Sequence, residues 1–313
     1  MSGEHLPLGD GREFDAIRAM LEEWGPHAAG VGDDAALLVV PADARLVVST
    51  DASVEGVHFR SEWMSAAEIG ARAASAALSD LAAMAAAPIG LLLALAVPER
   101  WQDRLLELAR GVGSAAARAG CPIVGGNLTR STELALTITV LGSAEHPLSR
   151  AGARVGDRLL VTGRLGGPGS ALGALLAGGR PEPADLARFV APVARLHEAR
   201  WLAAHGARAA IDISDGLLAD ATHLARASGV TLAIDLAAVP RMDGVTPGGA
   251  VASGEEYELL VAVPPDASLD AATFARAFQL PLTEIGLVEA RGPEPVRLGE
   301  RSAAPARGHD HLR

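Results

Sequence analysis

Leu81–Val97 reads LAAMAAAPIGLLLALAV, 17 residues without a charge, and the class of the molecule turns on what that run is. A membrane-spanning helix needs roughly 20 apolar residues, and Pro88 and Gly90 interrupt this run near its middle. The Ala-rich half reads as the buried end of a helix, and Ile89–Val97 as a core strand that the helix runs into. Working upstream, Ala66–Leu78 is predicted helical. Downstream, Pro98 stands where a helix start tolerates it, and Glu99–Ala119 keeps helical spacing until Gly120. Leu134–Leu141 alternates as a strand, with Thr137 and Thr139 on one face. Nearer the N-terminus, Phe14, Ile17, Leu21 and Trp24 give Glu13–Trp24 an amphipathic helix, and the short apolar runs Ala35–Val40 and Leu46–Ser49 are predicted core strands. The alternation of strands and helices predicts an α/β layered domain over residues 1–148.

A polar stretch, Ser149-Arg-Ala-Gly-Ala-Arg-Val-Gly, reads as a linker to a second domain over residues 149–313. There the pattern predicts strands at Arg158–Val161, Ala209–Ile213, Thr231–Ile234 and Tyr257–Val263. Helices are predicted at Ser170–Ala177, Val193–His205, Leu217–Ala227 and Ala271–Phe278. The Pro-, Gly- and Arg-rich tail from Arg291 is predicted to carry little regular structure.

Composition narrows the function classes. With 49% hydrophobic and 21% charged residues, the 313-residue chain can bury a core. A net charge of −11 repels polyanions, so no nucleic-acid partner is expected. All 27 basic residues are Arg, which excludes every mechanism that needs a lysine amine, including the Walker A loop and Schiff-base enzymes. Cys121 is the single cysteine, so neither an internal disulfide nor a multi-cysteine metal site is possible. The acidic start MSGEHLPLGDGREFD is not a signal peptide, and a cytoplasmic protein is expected.

The acids gather at the ends of the predicted elements. Gly32-Asp33-Asp34 opens one apolar run and Ser49-Thr50-Asp51 closes the next. Ser79-Asp80 ends the Ala-rich helix, Gly125-Gly126-Asn127 follows the short strand Ile123-Val124, and Asp212-Ile-Ser214-Asp215-Gly216 joins a strand to a helix. Each motif has an ordinary structural reading: a solvated turn, an Asx turn, a helix cap or a tight glycine turn. Together they predict oxygen ligands for a hard cation, Mg²⁺ before Ca²⁺, because converging carboxylates repel unless cations neutralise them. Mg²⁺ takes its remaining ligands from water and phosphate, which suits a lysine-free protein that handles a nucleotide.

These motifs resemble those of the thiamine-monophosphate kinase family. The resemblance rests on Gly32-Asp-Asp-Ala-Ala, Ser49-Thr-Asp-Ala-Ser-Val-Glu-Gly-Val-His-Phe59, Leu78-Ser-Asp-Leu-Ala-Ala-Met84 and Val124-Gly-Gly-Asn-Leu-Thr-Arg130. It continues in order through Arg150-Ala-Gly-Ala-Arg-Val-Gly-Asp157, Val161-Thr-Gly-Arg-Leu-Gly166, Ile211-Asp-Ile-Ser-Asp-Gly-Leu217 and Gly254-Glu-Glu-Tyr-Glu-Leu-Leu260. It implies two α/β domains of the aminoimidazole ribonucleotide synthetase-like fold, an N-terminal mixed-sheet domain that pairs into a homodimer, and ATP as co-substrate with thiamine monophosphate as acceptor. It also implies several Mg²⁺ ions held by Asp34, Ser49, Thr50, Asp51, Asp80, Asn127, Asp212 and Asp215. Among these, Asp51, Asp80, Asp212 and Asp215 are the expected catalytic acids. Gly126, Asn127, Arg150 and Ser214 are implied as nucleotide contacts, and His58, Glu255 and His309 as substrate contacts. Read without the resemblance, His58 is a capped or packed surface histidine.

Two departures bear on the acceptor pocket. The family's Gly-Gly-Glu-Asp-Tyr stands here as Ser253-Gly-Glu-Glu-Tyr257, and its C-terminal Gly-aromatic-x-His-Phe as Gly308-His309-Asp310-His311-Leu312. Competing readings are another ATP-dependent enzyme of the superfamily and a non-catalytic metal- or nucleotide-binding scaffold. Two superfamily members rely on a reactive cysteine near a terminus, and Cys121 is mid-chain. A dinucleotide-binding fold is disfavoured because Gly163-Arg-Leu-Gly-Gly-Pro-Gly169 lacks the Gly-x-Gly-x-x-Gly spacing.

Overall fold

The computed structural model describes residues 5–299 and 301–302. The chain divides into two compact units, one formed by residues up to Leu81 together with Ala86–His146, the other by Ala82–Ala85 and the chain from Pro147 onward. Each is a layered mixed α/β structure.

The first unit contains α1 (Arg12–Trp24), β1 (Arg45–Val54), α2 (Ala66–Ala83), β2 (Ala87–Val97), α3 (Leu105–Ala119), β3 (Ile123–Arg130) and β4 (Ala135–Ala144). Its sheet has the order β1-β4-β2-β3, with β2 and β3 parallel and the other neighbours antiparallel. The uncharged run therefore divides as its composition predicts: the Ala-rich half closes α2 and the Leu-rich half forms β2, a central strand. No described helix is long and apolar enough to cross a membrane. Buried Leu91, Leu93 and Leu95 of β2 stand opposite buried Val140, Ile138 and Leu136 of β4, so one face of the sheet is core. Helices α2 and α3 approach closely where both carry glycine. A side chain on Gly70 would strike the Leu108 carbonyl, and one on Gly111 the Ala67 carbonyl. The Trp24 indole of α1 anchors that helix to α3 by donating to the Ala109 carbonyl at 2.7 Å.

Three local expectations need correction in this unit. Ala35–Val40 is not a strand; Leu37 is 98% and Val39 80% exposed, so the apolar run is not core. The helix predicted from Glu99 begins as a 3₁₀ segment, Glu99–Arg104, and becomes α-helical only at Leu105. Gly125–Asn127 lie inside β3 rather than after a short strand, because β2 pairs with them directly and a side chain at Gly126 would collide with the Leu93 carbonyl.

The second unit runs β5 (Arg158–Thr162), α4 (Gly167–Leu176), α5 (Pro183–Val190), α6 (Leu196–Ala204), β6 (Ala209–Asp212), α7 (Leu217–Ser228), β7 (Thr231–Ile234), α8 (Pro247–Ala252), β8 (Leu259–Val263), α9 (Ala271–Phe278), β9 (Leu282–Glu289), β10 (Val296–Leu298) and β11 (Arg301–Ser302). Its seven-stranded sheet has the order β11-β10-β7-β9-β5-β8-β6, and only β10 with β7 is parallel. Leu159 and Val161 of β5, Ile211 of β6, Leu260 of β8 and Ile285 of β9 build one core with Leu217, Leu224 and Val251 from the helices. The tail departs from expectation. Val296–Leu298 pairs with Leu232–Ile234 and buries Val296, a long-range pairing with too few residues to leave a periodic signal.

Candidate functional site

In the first unit the strand period separates neighbours of the Ser49-Thr50-Asp51 motif. Ser49 and Asp51 stand opposite buried Val140 and Ile138, on the core face. Ser49 donates from Oγ to Asp80 Oδ2 of α2 at 2.5 Å, which joins the sheet to the helix at that point. The Asp51 carboxylate accepts the Ala52 amide at 2.8 Å. Thr50 falls on the other face with exposed Leu46 and Val48, and its hydroxyl meets that of Thr139 at 3.0 Å. Asn127 shares Thr50's face, in the row that runs through Ala94, Thr137 and Ala52. Asp34 is exposed in the loop before Ala35–Val40, with its amide on Asp33 Oδ1 at 2.8 Å. The structure thus brings Ser49 and Asp80 together by side-chain contact and puts Thr50 and Asn127 on the opposite face.

His58 follows β1 in a closed turn. The Val54 amide donates to His58 Nδ1 at 3.1 Å, so in the neutral ring the proton sits on Nε2. Arg72 of α2 donates to the His58 carbonyl at 3.0 Å. Glu55, three residues earlier, accepts both from Arg100 at 2.9 Å and from the Trp101 indole at 3.0 Å. Backbone and neighbouring side chains therefore fix the orientation of the ring.

In the second unit Asp212 ends β6 and is buried, Ser214 is half-buried, and Asp215 is exposed just before α7. Asp220, in the first turn of α7, is 3% exposed, and one of its oxygens accepts the amides of Ser214 and Asp215, both at 3.0 Å. Burial, with the Asp212 and Asp215 carboxylates adding repulsion, pushes the Asp220 carboxyl up to about 8 even though the two amides pull it down. Sequence reading missed Asp220; its signal was an acid one helical turn past the strand-end acids, where it can reach back to their amides.

Glu255 lies on the loop between α8 and β8, where Tyr257 was expected to begin a strand. Instead Glu255 (φ 60°) and Tyr257 (φ 52°) both occupy the left-handed region, a cost of about 1 kcal/mol or more for each non-glycine residue. The loop is stitched to the strand-end motif: the Glu255 amide donates to the Ser214 carbonyl at 2.7 Å and the Tyr257 amide to that of Ile213 at 2.8 Å. Beside them are two acids the sequence reading left unassigned. Glu258 is fully buried, held by Arg195 at 2.6 and 2.9 Å, Arg188 at 2.8 Å and the Thr162 hydroxyl at 2.6 Å. Burial would raise its carboxyl, but the two guanidinium groups outweigh it and the carboxyl titrates below the usual range. Glu256 is buried with weaker compensation, and burial pushes it up to about 7 despite Ser253, the Gly166 amide and Arg188. Arg150 is exposed in the 149–156 stretch, its carbonyl accepting from Ser228 Oγ at 2.6 Å. His309 lies outside the described residues.

The donors Ser49, Thr50, Asp51, Asp80, Asn127, Asp212 and Asp215 are all oxygens, which fits Mg²⁺ rather than zinc. Among the described residues no three His, Cys, Asp or Glu side chains group closely enough to hold a metal ion alone. Burial is the first cause of the raised Asp220 carboxyl, and repulsion from Asp212 and Asp215 adds to it.

Comparison with known proteins adds the following. Residues 32–144 match the family model of the AIR synthase related protein, N-terminal domain, and residues 154–298 that of the C-terminal domain. The chain is 33% identical over 310 residues to the thiamine-monophosphate kinase of Pyrococcus horikoshii, covering 96% of each sequence. A crystal structure of the thiamine-monophosphate kinase from Stenotrophomonas maltophilia superposes with a TM-score of 0.83 at 32% identity, covering 95% of this chain and 98% of that one. A further solved structure, described as AaThiL complexed with AMPPCP and TMP, has a TM-score of 0.76 at 31% identity, with 95% of each chain covered.

Proposed function

Because the chain belongs to the AIR synthase related proteins, and within them to the thiamine-monophosphate kinases, we propose that it transfers the γ-phosphoryl group of ATP directly to the phosphate of thiamine monophosphate. A bond forms between an acceptor phosphate oxygen and the γ-phosphorus, the bond from that phosphorus to the bridging oxygen breaks, and thiamine diphosphate and ADP leave. The observation that carries the chemistry is the pair of acids at and just after the end of β6, Asp212 and Asp215, each of which repels the buried Asp220 carboxyl beside them.

The acceptor phosphate has a second pKa of about 6 and is largely a dianion at neutral pH, so no strong general base is required. The work is positioning and charge stabilisation. Asp51 and Asp80 in the first unit, and Asp212 and Asp215 in the second, would each hold Mg²⁺, which would screen the phosphate charges that lysine neutralises in other kinases. Ser49, bonded to Asp80, adds an oxygen on that face, and Asp34 another from its exposed loop; Thr50 and Asn127, expected as ligands, stand on the opposite face of the sheet and do not join Asp51 and Asp80. Gly126, Asn127, Ser214 and the exposed Arg150 contact the nucleotide. His58 presents Nε2–H, and Glu255 its carboxylate, to the thiamine substrate. Asp220 acts through its neighbours by fixing the Ser214 and Asp215 amides.

An assay with ATP, Mg²⁺ and thiamine monophosphate tests this reading. Thiamine diphosphate formation in stoichiometry with ADP supports it; binding without turnover returns the scaffold reading, and phospho-aspartate or phospho-histidine trapped after ATP treatment overturns direct transfer.

The acting form is a homodimer through the first unit's sheet. Strand β1 is an edge strand whose exposed face carries Leu46 and Val48, and Leu37 and Val39 stand exposed in the preceding run without a strand partner among the described residues. A second copy covers such a surface, since exposed apolar edges otherwise aggregate.

A further inference from the structure

The Ser253–Glu258 loop does more than carry Glu255. Its Ser253 Oγ accepts the Gly169 amide at 2.9 Å and donates to Glu256 Oε1 at 2.5 Å. The same Glu256 oxygen accepts the Gly166 amide at 2.5 Å. Two of the amides that open α4, which have no partner within their own helix, are thereby capped by a serine and a glutamate more than eighty positions away in sequence. Ser253 is 4% and Glu256 3% exposed, so the latch is internal. Glu256 Oε2 makes no hydrogen bond and lies 3.6 Å from Arg188 of α5, which itself grips Glu258. On either side of this anchor the backbone is forced through the left-handed region, at Glu255 and at Tyr257. A loop held in that conformation needs something to over-determine it, and the latch at Glu256 is between the two strained residues.

Ser253 and Glu256 are also the two positions at which the loop departs from the family pattern, as Ser for Gly and Glu for Asp. In this chain the two side chains bond to each other. The Ser253 side chain occupies the space beside Gly169, where an added carbon would meet its Oγ and Cβ, and so sets the distance at which the loop bonds to the helix end. From that position the Glu256 carboxylate reaches the Gly166 amide, with a side chain one methylene longer than aspartate.

We propose that Ser253 and Glu256 form a matched pair that latches the loop to the N-terminus of α4, and that Glu256 is thereby a positioning residue for Glu255 in binding the thiamine substrate. The inference rests on reading Glu255 as a substrate contact.

The test uses the full chain and steady-state kinetics with thiamine monophosphate and ATP varied separately. S253G and E256D should each raise the KM for thiamine monophosphate about fivefold or more and leave that for ATP within about twofold. The double variant S253G/E256D should return to within about twofold of the parent, because a loop freed of the Ser253 side chain can settle until the shorter acid reaches the amides. E256Q, which keeps shape and one acceptor oxygen, serves if E256D does not fold, and should perturb the thiamine KM less than S253G does. Additive effects in the double variant, or equal rises in both KM values, overturn the matched pair. E255A separates the two layers of the argument. If E255A leaves the thiamine KM unchanged, the reading of Glu255 fails; if it raises that KM while S253G and E256D do not, only the latch fails.

Discussion

The turn that carries His58 and the loop that carries Glu255 place two proposed substrate contacts by different means. The first is closed by backbone: an amide on His58 Nδ1, a carbonyl held by Arg72, and Glu55 pinned at the rim by Arg100 and Trp101. The second is held from within by two buried carboxylates, two arginines and two left-handed residues. Buried charge fixes a loop firmly but leaves a large penalty when one partner is removed, whereas backbone closure is cheap and local. The two sites should therefore fail differently when mutated.

The largest expected effect is at the proposed ion-holding acids of the first unit. Asp51→Ala and Asp80→Ala should each lower kcat by about 10³-fold or more while the circular-dichroism spectrum stays that of the parent. Normal turnover by either variant would remove the first unit's acids from the mechanism. Next is the buried pair. Arg195→Met leaves Glu258 in the interior with one guanidinium fewer, and chemical denaturation should show a loss of about 3–5 kcal/mol. A loss under 1 kcal/mol would show that Arg188 and Thr162 alone satisfy the carboxylate and that the contrast between the two loops is overstated.

The pH dependence sharpens the same contrast. Because the folded carboxyl of Glu256 titrates near 7, above its unfolded value of 4.5, the folded state binds the extra proton in between. Its contribution to stability is fully present below pH 4.5 and is lost as pH rises through about 7. Facing it are Arg188 of α5 and Glu258 just before β8, whose own carboxyl titrates below the usual range; Asp220, raised to about 8, contributes across the same window, so the difference between E256Q and the parent isolates Glu256. Thermal melts at pH 4.5 and 7.5 should show E256Q gaining relative to the parent at the higher pH. An unchanged difference between the two proteins would place the Glu256 titration elsewhere.

On the other side of the comparison, His58→Ala should raise the KM for thiamine monophosphate about tenfold, with little change in that for ATP or in Tm. Equal rises for both substrates would detach His58 from the acceptor. The smallest expected change is in assembly rather than chemistry. Val48→Arg puts a charge on the exposed face of β1 and should shift light-scattering mass from dimer toward monomer with secondary structure retained. A mass equal to the parent's would move the second copy to another surface.

Periodicity and composition made most of the layered fold legible. The amphipathic spacing of Glu13–Trp24 and the alternation of Leu134–Leu141 are local signals, and the structure has α1 and β4 there. Asp212 does end β6, but Asp51 lies inside β1 and Asp80 inside α2, because pairing with β4 and the helix both run on past the strings that local reading took as ends. Ala35–Val40 misled because apolar composition reports what must be covered, not by which partner, and in this chain Leu37 and Val39 remain exposed. Gly125–Asn127 misled because a glycine pair signals a turn locally, while close pairing with β2 demands the same residues within a strand.

The order of the acid motifs, the absence of lysine and the helix and strand periods were determined by the sequence itself, because each is set by residues within a few positions of one another. Which oxygens meet was decided only in three dimensions. Ser49 reaches Asp80 across 31 positions, and Glu256 reaches the Gly166 amide across 90. The left-handed turns at Glu255 and Tyr257 and the elevated carboxyls of Asp220 and Glu256 follow from such contacts. Backbone strain and desolvation depend on what surrounds a group once the chain has folded, and no local string of residues encodes those surroundings.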